Sequence, residues 1–209
     1  MKNNDNDSSS IICQRLDISS YGAEESFGPT RTTYLSLGSN LGDKSENLLL
    51  GVKELLKLDE HLKISRVYET KPVGGPAGQD NYYNTAVALD TSLHPYDLLS
   101  LVNGIESAAK RVRKERFGPR TLDIDILIMD GVLMSDESLT IPHPRMHERA
   151  FVLAPLSDLV NIAELTIFTA IYPQFLSSSW YDVLGSADTY DLPVVLDGVN
   201  IDPRLLDEI

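Results

Sequence analysis

Cysteine is nearly missing from this chain. Cys13 is the only one in 209 residues, which excludes an intramolecular disulfide and fits a reducing compartment. Long apolar runs are missing too: none approaches the roughly 18 residues needed to cross a bilayer. The N-terminus from Lys2 to Ser10 is polar throughout and lacks the apolar stretch of a secretory signal. A cytoplasmic protein without a membrane partner is therefore expected. Positive charge is scarce, with 18 Lys and Arg against 31 Asp and Glu and a net charge of −13. That balance argues against general nucleic-acid binding, because phosphate backbones need a broad positive surface. The length allows one domain with a sizeable core and is too short for two ordinary ones.

The few bases are not spread evenly. Lys110, Arg111, Arg113, Lys114, Arg116 and Arg120 supply six of the 18, a concentration that suits a small anionic ligand better than a duplex. Directly after them comes Gly118-Pro119-Arg120-Thr121, then Leu122-Asp123-Ile124-Asp125-Ile126-Leu127-Ile128. Side chains two apart on a strand share a face. Leu122, Ile124, Ile126 and Ile128 are thus expected in a core, with Asp123 and Asp125 projecting together from the other side. Two neighbouring carboxylates repel each other. A hard divalent cation such as Mg²⁺ resolves that repulsion, since it takes carboxylate oxygen and shares its other positions with water and phosphate. A lone Asp-x-Asp pair is usually solvated surface, and a lone basic run is usually a helix end. Their adjacency favours a polyphosphate site, which points to an Mg-nucleotide enzyme.

Periodicity gives the organisation. Residues 1–31 begin with a polar stretch that cannot order itself and are expected to be a mobile extension. A strand over 32–37 ends at Gly38-Ser39-Asn40. Leu48, Leu49, Val52, Leu55 and Leu56 then mark one face of a helix, with Asp43 and Glu46 in its first turn, where the helix dipole favours acids. Strands are expected from Lys63 to Thr70 and from Asn84 to Thr91, separated by a Pro- and Gly-rich loop. A second helix starts near Pro95, a residue suited to a first helical position, and a fourth strand runs from Leu122 to Met129. The order β-α-β-β-α-β predicts an α+β ferredoxin-like core, an antiparallel sheet with both helices on one face. A further helical segment is expected around Glu148 to Leu159. Residues 161–209 form an acidic extension with no catalytic motif, in which Leu165–Phe168 and Leu192–Leu196 read as strands or docked extended segments.

Four blocks of this sequence together resemble one family. Tyr34 to Gly42, Arg111-Val112-Arg113, Phe117 to Asp125, and Ile141-Pro142-His143-Pro144 with Arg149 are similar to 6-hydroxymethyl-7,8-dihydropterin pyrophosphokinase of folate biosynthesis, over roughly residues 32–160. The resemblance implies a ferredoxin-like fold. It also implies transfer of the β,γ-pyrophosphate of ATP to the hydroxymethyl group of the pterin, with release of AMP. It makes Asp123 and Asp125 the ligands of two Mg²⁺ ions along the triphosphate, and Arg111, Arg113 and Arg120 triphosphate contacts, with Arg111, Arg120 and both aspartates taken as catalytic. Ile126, Thr140, His143 and Arg149, with Glu106 on the second helix, match positions near ATP. Tyr82 and Phe151 match two aromatics that sandwich the pterin, Asn84 an amide that reads its edge, and Thr70, Lys71 and Val73 the segment beside it. Departures include Phe117 and Pro144, where relatives often carry Trp and Tyr, and Ser138, where some carry Arg. Contact with neighbouring folate-pathway enzymes is a further expectation. The alternative reading is a catalytically silent nucleotide- or pterin-binding sensor of the same fold.

Overall fold

A computed structural model of the chain describes residues 28–109, 119–184 and 193–205. The elements run β1 (Arg31–Ser39), α1 (Lys44–Leu55), β2 (Lys63–Ile64), β3 (Tyr68–Thr70), β4 (Tyr82–Thr91), α2 (Pro95–Ala108), β5 (Asp123–Met129), β6 (Met134–Ser135), β7 (Thr140–Ile141), α3 (Ala150–Ser157), α4 (Thr166–Ile171), α5 (Trp180–Leu184) and β8 (Val194–Val195). Of the expected N-terminal extension only residues 28–31 are described, and Arg31 already pairs with Thr91. The main sheet has the order β5-β1-β4-β3-β8, with β2 also paired to β4. All its pairs are antiparallel. The β-α-β-β-α-β order and the antiparallel sheet are the ferredoxin-like arrangement expected from the sequence.

The local chemistry explains where elements start and break. Asp43 lies one position before α1 and caps it, its carboxylate accepting from the Glu46 N–H at 3.1 Å. Pro95 occupies the first turn of α2, where its missing N–H costs nothing. The single strand expected over 63–70 is two pieces. Ser65 Oγ accepts the Ala86 N–H at 2.8 Å, so a hydroxyl replaces a main-chain carbonyl in the ladder and the strand is interrupted there. Gly51 brings α1 close to the sheet: a Cβ there would meet Leu37 at 3.0 Å and Leu122 at 3.2 Å.

The sheet carries a core on each face. Leu35, Leu37, Val52, Leu98, Ile105, Leu122, Ile124 and Ile126 belong to the core that α1 and α2 cover. Tyr34, Leu127, Ile128, Leu153, Leu156, Phe168 and Phe175 form a second core on the opposite face, beneath α3 and the segment that follows it. The expected placing of Ile128 beside Ile126 is corrected by a bulge. Pairing steps from Tyr34↔Ile128 to Leu35↔Ile126, which skips Leu127 and shifts the alternation by one. Leu127 and Ile128 therefore both serve the second core, and Met129 returns to the first.

The C-terminal stretch also departs from expectation. Residues 165–168 are not a strand, since Thr166–Ile171 is helical. The apolar run ending at Leu196 does give a strand, β8, which pairs with β3 at the sheet edge, although Leu192 lies outside the described residues. Phe168 is fully buried and Phe175 nearly so. A clamp ties α3 to β3: Asp158, the residue closing α3, accepts from the Arg66 backbone N–H, from its guanidinium and from the Tyr68 hydroxyl. Burial alone would raise the Asp158 carboxyl. The hydrogen bonds from Arg66 and Tyr68 outweigh it and hold the group below the ordinary carboxylate value. Burial, with the Asp158 charge beside it, pushes the Tyr68 hydroxyl up to about 12.

Two stability predictions come from this packing. Phe168→Ala should cost about 3–5 kcal/mol, as a large core truncation does, read as a lower urea midpoint at unchanged slope. Asp158→Asn should cost about 1 kcal/mol at pH 7, a charge-assisted bond discounted for the exposed Arg66 guanidinium. Because the folded-state pKa is depressed, that contribution is fully present above the unfolded value of about 3.9 and is lost as pH falls through the folded value. Urea titrations of both proteins at stepped pH should converge in acid; a gap that persists there excludes the ionised clamp.

Candidate active site

The sheet register assembles the site. Gly38 of β1 pairs with Asn84 of β4 on one side and with Asp123 of β5 on the other. Ser36, two residues earlier, pairs with Asp125, and on the next strand Tyr68 pairs with Asn84 and Thr70 with Tyr82. These rows share the face of the second core, at the sheet end that α3 leaves uncovered. A side chain at Gly38 would crowd them, because its Cβ would lie 3.1 Å from Asn84 Oδ1 and 3.7 Å from Tyr82.

A cavity of about 670 Å³ opens over these rows. Thr70, Lys71, Val73, Tyr82, Asn84 and Phe151 line it together with Glu106, Arg120, Asp123, Asp125, His143 and Arg149, and the Arg149 guanidinium lies 5.6 Å from the centre of the Phe151 ring. Thus every expected site residue among those described lies in one cavity, except two. Ile126 follows Asp125 on the strand, so its side chain turns to the opposite face and is buried in the α1/α2 core. Thr140 sits in the β6–β7 hairpin, its hydroxyl 3.4 Å from that of Ser135. Arg111 and Arg113, with Lys110, Lys114 and Arg116, lie outside the described residues.

The electrostatics centre on the two aspartates. Arg120 donates to Asp123 Oδ2. Around Asp125, Arg149 Nη1 lies at 3.7 Å and His143 Nε2 at 4.0 Å from Oδ2. Burial, and then the charge of Asp123, pushes the Asp125 carboxyl above the ordinary carboxylate range, against the pull of His143, Arg149 and Arg120. His143 is held below the usual imidazole value, chiefly by burial. Even so, 39% of the Asp125 side-chain surface is open to the cavity, so a ligand can reach it. The donor set suits Mg²⁺: two crowded carboxylates that a divalent cation would relieve. Among the described residues no group of three or more His, Cys, Asp and Glu side chains gathers to hold a metal. Two protein carboxylates with the rest from water and phosphate is the usual Mg²⁺ arrangement.

Several residues that hold the site carry little signal in the sequence. Asn40 is almost completely buried. Its Oδ1 accepts the Arg120 N–H at 2.8 Å and its own N–H donates to the Arg120 carbonyl at 3.0 Å. Its Nδ2 donates to Gln79 Oε1 and the Asp80 carbonyl. Asn40 thus joins the glycine-rich loop to the approach of β5, and its place at the end of a strand in Gly-Ser-Asn is the one sign of it. Asn103 also lines the cavity, and its position one helical turn before Glu106 would have found it. Arg145 and Glu148 do so too, and irregular chain gives them no periodic signal. Glu106 itself is buried and accepts the N–H of Ile124, the residue between the aspartates, at 2.7 Å. Asn84 Nδ2 donates to Thr70 Oγ1 at 2.8 Å, which fixes the amide against β3.

Glu106→Ala should leave the Ile124 N–H without this acceptor, at a cost of about 1–3 kcal/mol, whereas Glu106→Gln keeps an acceptor and should lose less. Chemical denaturation of the two variants distinguishes them, and equal losses would show that the bond carries little.

The family model described as 7,8-dihydro-6-hydroxymethylpterin-pyrophosphokinase (HPPK) matches residues 34–161. The 2-amino-4-hydroxy-6-hydroxymethyldihydropteridine pyrophosphokinase of Bacillus subtilis (strain 168) is 43% identical over 136 residues, covering 63% of this chain and 79% of that protein. The protein of the same name from Methylorubrum extorquens is 46% identical over 129 residues, covering 60% of this chain and 80% of that protein. Among solved structures, a Plasmodium falciparum HPPK-DHPS triple mutant superposes with a TM-score of 0.52 at 15% identity, a likeness of fold alone. The match covers 75% of this chain and spans 45% of that one.

Proposed function

This chain belongs to the 7,8-dihydro-6-hydroxymethylpterin-pyrophosphokinase family, and on that premise we propose that its cavity transfers pyrophosphate from ATP to the hydroxymethyl group of 6-hydroxymethyl-7,8-dihydropterin, releasing AMP. The observation that carries this reading is that one cavity brings two chemistries together. Asp123, Asp125, Arg120 and Arg149 supply charge, with His143 beside them, and Tyr82, Phe151, Asn84 and Thr70 offer aromatic rings and a fixed amide. The first suits a metal-bound triphosphate and the second a flat, hydrogen-bonding heterocycle.

Asp123 and Asp125 are the residues that would hold Mg²⁺, two ions in this reading. When bound, the metal supplies charge neutralisation along the triphosphate and a template for in-line displacement. Arg120 is paired to Asp123 without substrate. Its guanidinium binds phosphate oxygens as readily as carboxylate, so it turns to the triphosphate when the nucleotide enters. His143 and Arg149 line the nucleotide side, and Arg111 and Arg113 add charge to the phosphates. Tyr82 and Phe151 stack on the pterin, and Asn84, oriented by Thr70, reads its edge with Lys71 and Val73 beside it. With the ring held, the hydroxymethyl oxygen attacks the β-phosphorus and AMP leaves. Positioning and charge stabilisation supply the rate, with no covalent enzyme intermediate.

Residues 32–160 carry this activity as one domain, and 161–209 form an added segment. No described helix is long and apolar enough to cross a membrane, and a cytoplasmic location accompanies the reading. Partnership with other folate-pathway enzymes belongs to it as well.

Incubation with ATP, MgCl₂ and the pterin, with nucleotides separated by chromatography, should give AMP one-for-one with pterin diphosphate. EDTA should abolish it, and Asp123→Ala or Asp125→Ala should lower the rate at least about 100-fold, as loss of a transition-state charge contact does. ADP in place of AMP would overturn the reaction. ATP binding without turnover would leave the silent sensor.

A further inference from the structure

The family match ends at residue 161, yet residues 162–184 and 193–205 pack on the sheet and touch residues that adjoin the cavity lining at two places. On the nucleotide side, Tyr172 stacks on His147, with ring centroids 3.9 Å apart and planes 17° from parallel. The Tyr172 hydroxyl also reaches the Pro144 carbonyl at 3.4 Å. His147 belongs to the 3-10 turn Met146–Glu148, flanked by Arg145 and Arg149 of the cavity wall. Its Nδ1 is buried and makes no hydrogen bond among the described residues, so stacking is a principal restraint on the ring. From His147 the contacts run on into the wall: Nε2 lies 3.5 Å from Glu148 Oε1, and Arg145 Nε donates to Glu148 Oε2 at 3.3 Å. Tyr172 is anchored in turn by the buried Phe168 ring at 5.1 Å.

On the pterin side the contact is a strand. Val195 and Val194 of β8 pair with Tyr68 and Glu69 of β3, and the Leu196 N–H donates to the Val67 carbonyl at 2.9 Å. β3 ends at Thr70 and leads directly into Lys71. Beyond β8 the chain is fastened at a second place. Ile201 is buried in the α1/α2 core, and Arg204 donates to the Glu60 and Leu62 carbonyls at 3.2 and 3.0 Å. An edge strand pinned at one end by a buried side chain and at the other by main-chain pairing restrains the strand beside it.

We propose that residues 162–184 and 193–205 are positioning elements of the site, with Tyr172 holding the nucleotide wall through His147 and β8 holding the pterin wall through β3. The assignment of the two walls rests on the proposed function; the contacts do not. Neither Tyr172 nor Leu196 lines the cavity, so each acts through another group. The consequence is a crossed pattern that general destabilisation does not produce.

The test is calorimetric binding to full-length variants. A non-hydrolysable ATP analogue with Mg²⁺ is titrated first, then the pterin at saturating analogue, with a thermal melt of each protein alongside. Tyr172→Ala should weaken the nucleotide up to about 10-fold, the upper end of what an aromatic stack contributes, and leave pterin affinity unchanged. Tyr172→Phe keeps the stack and should restore wild-type binding. Leu196→Pro removes the N–H given to Val67, and Arg204→Ala releases the far anchor. Both should weaken the pterin by a similar factor and spare the nucleotide. Lower melting temperatures with both affinities intact would overturn the proposal, as would equal weakening of both ligands by every variant. Because binding is read without turnover, a crossed pattern in a protein that forms no AMP would sink the reaction and keep the positioning role.

Discussion

Two like charges held on one face of β5 organise what surrounds them. Asp123 and Asp125 cannot move apart, because β5 is paired to β1 along their length and Glu106 holds the peptide between them by the Ile124 N–H. A strand constrained in this way cannot relieve repulsion by bending, so relief must come from cations brought to it. Arg120 arrives from the preceding turn and Arg149 from beyond the hairpin. The His143 main chain is itself tied to β5, its N–H donating to the Leu127 carbonyl at 2.7 Å. The site is thus an electrostatic demand built into a rigid element, met from more than one direction.

The second constraint is geometric. The site face of the sheet is the same face that α3 and the later helices cover, and the two uses divide along the strands. Tyr34, Ala88 and Ile128 are under helices, while Gly38, Asn84 and Asp123 form a row open to the cavity. The bulge at Leu127 adds apolar area to the covered half by turning two successive side chains to that face. Phe151, at the start of α3, stands at the boundary between the two halves. It packs partly on the second core and partly lines the cavity.

Much of this is legible in the order of amino acids alone. Alternation in Leu122–Ile126 and the helical spacing of Leu48, Val52 and Leu55 are properties of single segments, and they suffice for strands, helices and the projecting carboxylates. What escapes depends on partners distant in sequence. The bulge is decided by how β1 lies against β5, and the break after Ile64 by a hydroxyl facing Ala86. Thr166–Ile171 has two β-branched residues in its first turn and spans six residues, too few for a helical period to show; burial of Phe168 makes it a helix. Asn40 and Arg145 carry no period at all. Their significance lies in what the fold brings to them.

One further property follows from how the sheet ends. An unpaired strand edge is a template for another chain. Here β3 is capped by β8, which is only two residues long, and the outer side of β5 gives its Leu127 carbonyl to His143. Among the described residues, therefore, the β3 margin ends in a two-residue strand, and the β5 margin is partly occupied by the His143 main chain. On the β3 side, the segment beyond the family match replaces a longer edge with a two-residue one, and a very short edge strand is a poor template for another chain.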